Sequence, residues 1–245
     1  MLDLADAYEE TYRHLADLVG NVAHDDLERM VPASPAWTVK DVVAHLTGIA
    51  GDVVAGRSFA DLNLLDAWKD PAQTTLRDQM NAAQVDARRA KELSEILAEW
   101  AGHVGGLLPM LRGDAAFPMP VSFIDSIVVV DLATHAQDVR GALGVPGDRE
   151  SAGVGAALEG YANALDLRLR AVGLQALSLR YGDTERLVGE GEPAATLSGE
   201  RFEIYRALAG RRSTEQIRAM SWSGDVEPYL PLIPAYGPPT DPIEE

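Results

Sequence analysis

Apolar residues recur every three or four positions through the first two-thirds of the chain, which is the spacing of amphipathic helices. The first apolar stripe consists of Leu4, Tyr8, Leu15, Leu18 and Val22. A second stripe consists of Val39, Val42, Leu46, Ile49 and Val53. Each stripe predicts a helix that buries one face in a core.

Local signals mark both ends of the second helix. Thr38 suits the N-cap, and Asp41 follows three residues later as its partner in a capping box. Trp37 and Val42 are placed to form a hydrophobic staple around this start. Gly56 can end the helix, because glycine adopts the left-handed conformation that commonly follows the last turn.

The same periodicity predicts three further helical regions. Thr74–Leu111 is helical by pattern, in one or two pieces, and Val154–Val172 forms a separate amphipathic segment. Ser122–Leu143 is predicted as a helix closed by Gly144. Because β-branched residues concentrate at Ile127–Val130, a strand is the alternative there.

The pattern changes near Gly173. Residues 177–181 alternate between apolar and polar, as in a half-buried strand, and 184–189 and 194–198 resemble further short strands. A helix is predicted over 200–208, and the Pro-rich acidic tail from 229 is predicted to be an irregular extension. The sequence therefore predicts two domains, a helical domain over 1–172 and a small α/β domain over 173–245.

Composition narrows the classes of function. The chain has 245 residues and a formal net charge of -17, which disfavours nucleic acid or an anionic membrane as a partner. It has no cysteine, so thiolate ligands, disulfides and a protein thiol nucleophile are excluded. The acidic start does not resemble a signal peptide, and no apolar run is long enough to span a membrane. We therefore expect a cytoplasmic protein.

The segment from Asp131 to His135 carries the clearest chemical signal. A carboxylate and an imidazole at positions i and i+4 lie on one face of a helix, where both can reach one metal ion. Asp138 continues this face, which is apolar before Asp131. Polar groups in a core must be paired or bound to a metal. The alternative is that the face is exposed from Asp131 onward and that the two groups are merely solvated.

A metal site needs at least one more ligand, which must come from another helix. His45 lies on the flank of its apolar stripe, and His14 and His103 occupy similar positions. Periodicity alone does not separate these three histidines.

Three segments together resemble the mycothiol-dependent maleylpyruvate isomerase-like family, within the wider DinB/YfiT-like metal-binding bundles. They are PAWTVKDVVAHL, DLATHAQDVRGALGVP, and GERFEIYRALAGRRS followed by a Trp. The resemblance implies a DinB-like four-helix bundle and a small C-terminal α/β domain similar to sterol-carrier folds.

The resemblance also selects the ligands. It places His45 and His135 at the two histidine positions of a divalent metal site, and Asp131 at the carboxylate position, where the isomerase has a glutamate. Zinc is the expected metal, with nickel or iron as alternatives. Mycothiol, a low-molecular-weight thiol, is the implied cofactor, and an electrophilic or acidic small molecule is the implied substrate.

The first functional hypothesis is therefore a metal- and mycothiol-dependent isomerase or thiol transferase. Arg211 and Arg212 could bind carboxylates of an acidic substrate or cofactor, although cations near a helix C-terminus also favour the helix dipole. The second hypothesis is a non-catalytic metal- or small-ligand-binding protein on the same bundle. A stress-associated structural protein is a third interpretation, suggested only by the wider superfamily. The oligomeric state is left open between a monomer and a homodimer.

Overall fold

The computed structural model describes residues 3–57, 70–118 and 124–245. Contacts group the chain into two compact units, one reaching to Ala156 and including Glu245, the other running from Ala157 to Glu244. A helical N-terminal region and a C-terminal region with a small sheet were both predicted, and both are confirmed. No helix in the described ranges combines the length and apolar character needed to cross a membrane.

The first unit is built around four helices. Its described elements, in chain order, are α1 (Leu4–Gly20), α2 (His24–Leu27), β1 (Met30–Val31), β2 (Ser34–Thr38), α3 (Val39–Val54), α4 (Pro71–Asp86), α5 (Leu93–Leu111) and α6 (Ile124–Leu143). Helices α1, α3, α5 and α6 pack against one another as the predicted bundle, and α4 packs on α3. Thr74–Leu111 is thus helical in two pieces.

The bundle core is formed by the apolar stripes. Tyr8, Leu46, Trp100 and Leu132 are fully buried and come from the four bundle helices. Residues 127–130 are helical, so the strand alternative there is wrong. Burial of the helix face, which includes Val128, outweighs the weak strand preference of β-branched side chains. Ser122, the predicted helix start, lies outside the described residues.

The predicted boundaries of α3 are confirmed. The Thr38 hydroxyl accepts a hydrogen bond from the Asp41 amide, and the Asp41 carboxylate accepts one from the Thr38 amide. Gly56 follows the helix with φ of 67°. The hairpin β1–β2 was not predicted; it pairs Met30 with Thr38 immediately before α3. The direction in which α3 enters the bundle is therefore set by a capping box and a short antiparallel pair.

The helix α7 (Ala152–Val172) runs across the boundary between the two units. The second unit then contains β3 (Gln175–Tyr181), β4 (Thr184–Val188), β5 (Glu190–Ser198), α8 (Arg201–Leu208), α9 (Thr214–Arg218) and β6 (Ser221–Gly224). The sheet order is β4-β3-β5-β6, with β3 and β5 parallel and the other pairs antiparallel. The division at residue 172 stays a prediction, since contacts group most of α7 with this unit.

The C-terminal tail is irregular, as predicted, but it is not a free extension. Tyr229, Ile233 and Ile243 are buried. The Tyr229 hydroxyl donates to the backbone carbonyl of Gln175 at 3.1 Å, and Arg168 donates to that of Ile233. Apolar residues between the prolines therefore anchor the tail to the second unit.

Candidate metal centre

Helices α3 and α6 bring three potential ligands together. One ligand atom from each of His45, Asp131 and His135 lies within 4.8 Å of the other two. His45 Nε2 is 3.3 Å from Asp131 Oδ2, and His135 Nε2 is 3.7 Å from Asp131 Oδ1. Within the described ranges, this is the one group of three or more His, Asp or Glu side chains close enough to hold a metal ion.

The donor set is suited to a divalent cation. Two imidazole nitrogens and one carboxylate oxygen are ligands that zinc and similar metals use, and three protein ligands leave a coordination position open. His45 is buried, and its Nε2 has no hydrogen-bond partner among the described residues, although it faces a carboxylate oxygen. A buried polar nitrogen without a partner costs free energy, and a cation between the two atoms would remove that cost. The side chains present therefore fit a metal.

The other nitrogen of His45 has a defined partner. His45 Nδ1 lies 2.7 Å from Gln84 Oε1 on α4. Gln84 Nε2 in turn donates to Asp52 Oδ2 at 2.6 Å, and Asp52 pairs with Arg57. Outer contacts of this kind orient metal-binding histidines.

The second histidine has a charged partner instead. His135 Nδ1 lies 3.1 Å from Asp138 Oδ2, and the Asp138 side chain is fully buried. The contact is at ion-pair distance but is not aligned as a hydrogen bond. Asp138 is therefore placed to orient a candidate ligand histidine.

Aromatic side chains enclose the site. The Trp37 ring, at the end of β2, lies 4.9 Å from the His45 ring and 6.0 Å from the His135 ring, centroid to centroid. Burial raises the pKa of the Tyr8 hydroxyl above its ordinary range, a hydrogen bond from Trp100 opposes that rise, and the negative charge of Asp131 adds to it. Tyr8 is therefore a neutral phenol beside the site at physiological pH.

The structure separates the three candidate histidines. His14 is exposed and pairs with Asp148, and His103 lies beside Glu99. Only His45 meets the α6 pair, as the resemblance implied.

Arg211 and Arg212 lie in the second unit and are both buried. Arg212 forms a two-point pair with Glu203, at 2.8 and 3.0 Å, and Arg211 donates to the carbonyl of Ala209 at 2.7 Å. Their predicted role in cofactor or substrate binding stays a prediction.

Three residues beside the candidate site were not predicted to lie there. Trp37 and Tyr8 were assigned only to packing, and Gln84 was not singled out. No local signal distinguishes Gln84 from Gln73 and Gln79 on the same helix, because its role depends on α4 packing against α3.

The family model of the mycothiol maleylpyruvate isomerase N-terminal domain matches residues 8–140, more than half of the chain. The chain belongs to this family. The match contains all three clustered side chains, and the family resemblance drawn from the sequence is confirmed.

Solved structures agree on the fold. The crystal structure of the mycothiol-dependent maleylpyruvate isomerase matches with a TM-score of 0.56 at 15% identity, covering 85% of this chain and 88% of that one. A histidine-to-alanine mutant of that isomerase matches with a TM-score of 0.57 at 15% identity, covering 91% and 93%. No curated protein sequence matches the chain. At this identity the likeness shows a shared fold across both regions of the chain.

Proposed function

We propose that this protein is a metal- and mycothiol-dependent enzyme, an isomerase or thiol transferase that acts on a small electrophilic or acidic substrate. The observation that carries the proposal is the convergence of His45, Asp131 and His135, with the unpartnered His45 Nε2 facing a carboxylate oxygen. Family membership supports the thiol and the class of substrate.

His45, Asp131 and His135 would hold the metal, with zinc proposed. A divalent cation with an open position supplies Lewis acidity and lowers the pKa of a thiol or water bound to it. The chain has no cysteine, so the thiol in this chemistry comes from a separate molecule.

The protein's own groups define how a substrate would reach the site. The Asp131 side chain is 25% exposed, whereas that of His45 is 2% exposed, so we place the open side at Asp131. Trp37 packs against both imidazole rings. Asp138 orients His135, and Gln84 contacts His45.

We further propose a role for two arginines of the second unit and a cellular location. Arg211 or Arg212 is proposed to bind an acidic group of the substrate or thiol, on the ground that guanidinium groups bind carboxylates at two points. A cytoplasmic location is proposed because mycothiol chemistry requires a reducing compartment.

The first test is metal analysis of protein purified without chelators. We expect about one divalent ion per chain, lost in the His45→Ala/His135→Ala variant. The matched control, His14→Ala/His103→Ala, removes two histidines outside the cluster and is expected to keep the metal. Equal metal content in both double variants would contradict the site.

The second test separates an enzyme from a binding protein. Loaded protein is assayed with maleylpyruvate and other activated alkenes, with mycothiol or glutathione as the thiol. Turnover that requires mycothiol supports the proposal. Stoichiometric metal without turnover with either thiol would overturn the enzymatic assignment in favour of a non-catalytic binding protein.

A further inference from the structure

We propose that Gln84 and Asp52 form a positioning relay that fixes the tautomer of His45. The relay holds the proton on Nδ1 and leaves the lone pair of Nε2 directed towards Asp131. The purpose of the relay depends on the proposed metal site, because His45 is one of its ligands. The hydrogen bonds of the relay do not depend on a metal, since they join side chains of the first unit.

The direction of the relay follows from what each group can donate or accept. An ionised carboxylate only accepts hydrogen bonds, so the Gln84 atom 2.6 Å from Asp52 Oδ2 must be the amide nitrogen. The Gln84 amide oxygen then faces His45 Nδ1 at 2.7 Å. Because an amide oxygen also only accepts, His45 Nδ1 must carry a proton and donate it. A neutral His45 then has its lone pair on Nε2.

The relay keeps a full negative charge away from the Nδ1 side of His45, where the neutral Gln84 amide lies. Gln84 is 6% exposed and uncharged, and the carboxylate at the end of the relay is held by Arg57 at 2.5 Å. His135 shows the other arrangement, since Asp138 faces its Nδ1 directly. The two histidines are thus oriented by partners of different charge.

Close packing of α4 on α3 makes the relay possible. A Cβ atom at Gly48 would lie 2.5 Å from Gln84 Cβ and 2.7 Å from Gln84 Cγ. Gly48 is one turn from both His45 and Asp52 on α3. The absence of a side chain at this position lets Gln84 reach both residues at once.

The direct readout is the tautomer of His45 in metal-free protein, determined by long-range proton–nitrogen NMR with labelled histidine at pH 8. We expect the Nδ1-protonated form in the wild type. In Gln84→Leu, which removes the acceptor and keeps an apolar side chain of similar size, we expect a mixture or the Nε2-protonated form. The matched control is Gln137→Leu, which removes a buried glutamine that contacts Gly147 instead.

A charge-conserving exchange provides the rescue. In Asp52→Asn/Gln84→Glu the amide and the carboxylate trade places, so the carboxylate still accepts from His45 and the amide donates to it. Gln84→Glu alone places two carboxylates side by side, which is unfavourable. We expect the double variant to restore the Nδ1-protonated form, and the two substitutions to be strongly non-additive.

Zinc affinity, measured by competition with a chromophoric chelator, is the second readout. We expect Gln84→Leu to weaken binding by about 10- to 100-fold, the usual cost of losing an outer partner of a ligand histidine, and Gln137→Leu to leave it unchanged. An Nε2-protonated His45 in the wild type, or a tautomer and affinity unchanged in Gln84→Leu, overturns the relay. Failure of the wild type to bind zinc would contradict the proposed metal site. The relay would still be tested by the tautomer measurements, which use metal-free protein.

Discussion

Two clusters of polar side chains in the helical bundle meet at Gln84, and they differ in how the charges within each cluster are compensated. In the first, two imidazoles surround one carboxylate, and His45 Nε2 has no donor or acceptor assigned to it in the described structure. In the second, Glu99 accepts from Arg88 at 2.5 Å and from Lys91 at 2.8 Å. The carbonyl of Gln84 accepts from Arg88, while its side chain contacts His45.

The difference shows how a cluster that neutralises its own charge is distinguished from a candidate metal site. In the Glu99 cluster, Arg88 and Lys91 supply counter-charges to the carboxylate, so its negative charge is neutralised within the protein. The His45 cluster places a buried ring nitrogen without a hydrogen-bond partner against a carboxylate oxygen, an arrangement that becomes favourable when a cation lies between them. Partly or fully buried ionisable groups are common to both clusters, so burial and ionisable groups alone do not identify a candidate metal site.

The largest expected effect comes from removing the one negative charge among the three proposed ligands. Asp131→Asn keeps the size of the side chain, but we expect zinc affinity to fall by more than the roughly 10- to 100-fold that an outer partner costs. Asp131→Glu, which keeps the carboxylate, is expected to retain measurable binding. Chelator competition gives both values.

The control for this change is Asp86→Asn, which neutralises an exposed aspartate on α4. A similar loss of affinity in Asp131→Asn and Asp86→Asn would show that general charge, rather than ligation, governs metal binding.

A smaller effect, on the stability of the fold, is expected from a substitution where the two clusters join. Gly48→Ala places a methyl group against Gln84 and Arg88, and we expect it to lower the free energy of unfolding by about 1–3 kcal/mol. Gly102→Ala is the matched control, because the added Cβ on α5 meets no atom within 4 Å beyond the adjoining residues and backbone of its own helix. We expect that variant to gain up to about 1 kcal/mol from helix propensity. Urea unfolding measures both, and equal effects would contradict the close packing of α4 on α3.

The smallest expected effect is a change in how the free energy of unfolding depends on pH in the acidic range. Burial favours a raised pKa at Glu99, but hydrogen bonds from Lys91 and Arg88 outweigh it and lower the pKa from 4.5 to about 2. A lowered pKa contributes stability above pH 4.5 that is lost as the pH falls towards 2. We therefore expect Glu99→Gln to be less stable at pH 7 and to lose less stability between pH 4.5 and 3, measured by urea unfolding.

The control for this pH dependence is the variant Glu185→Gln in the second unit. Glu185 pairs with Arg180 on the surface, and hydrogen bonds from Ser178 and Arg180 lower its pKa. Water screens this pair, so its contribution is expected to be smaller than that of Glu99. An equal or larger change in Glu185→Gln would remove the distinction between the partly buried Glu99 pairs and the exposed Glu185 pair.

The sequence by itself determined the features that depend on neighbouring residues. The capping box of Thr38 and Asp41, the helical end at Gly56 and the shared face of Asp131 and His135 each involve groups within about one helical turn. Such interactions are specified by residue type and spacing, so they can be identified without knowing the fold. The two-part organisation was also predictable, because helical periodicity gives way to alternation near Gly173.

Only the tertiary structure decided which groups from distant segments meet. His14, His45 and His103 all lie on the flanks of apolar stripes, and packing of α3 against α6 brings His45 alone to Asp131. Gln84 reaches His45 because Gly48 allows α4 to approach, and Trp37 covers the site because an unpredicted hairpin precedes α3. Periodicity specifies which side of a helix is buried, whereas the partner of each buried group depends on how whole helices pack.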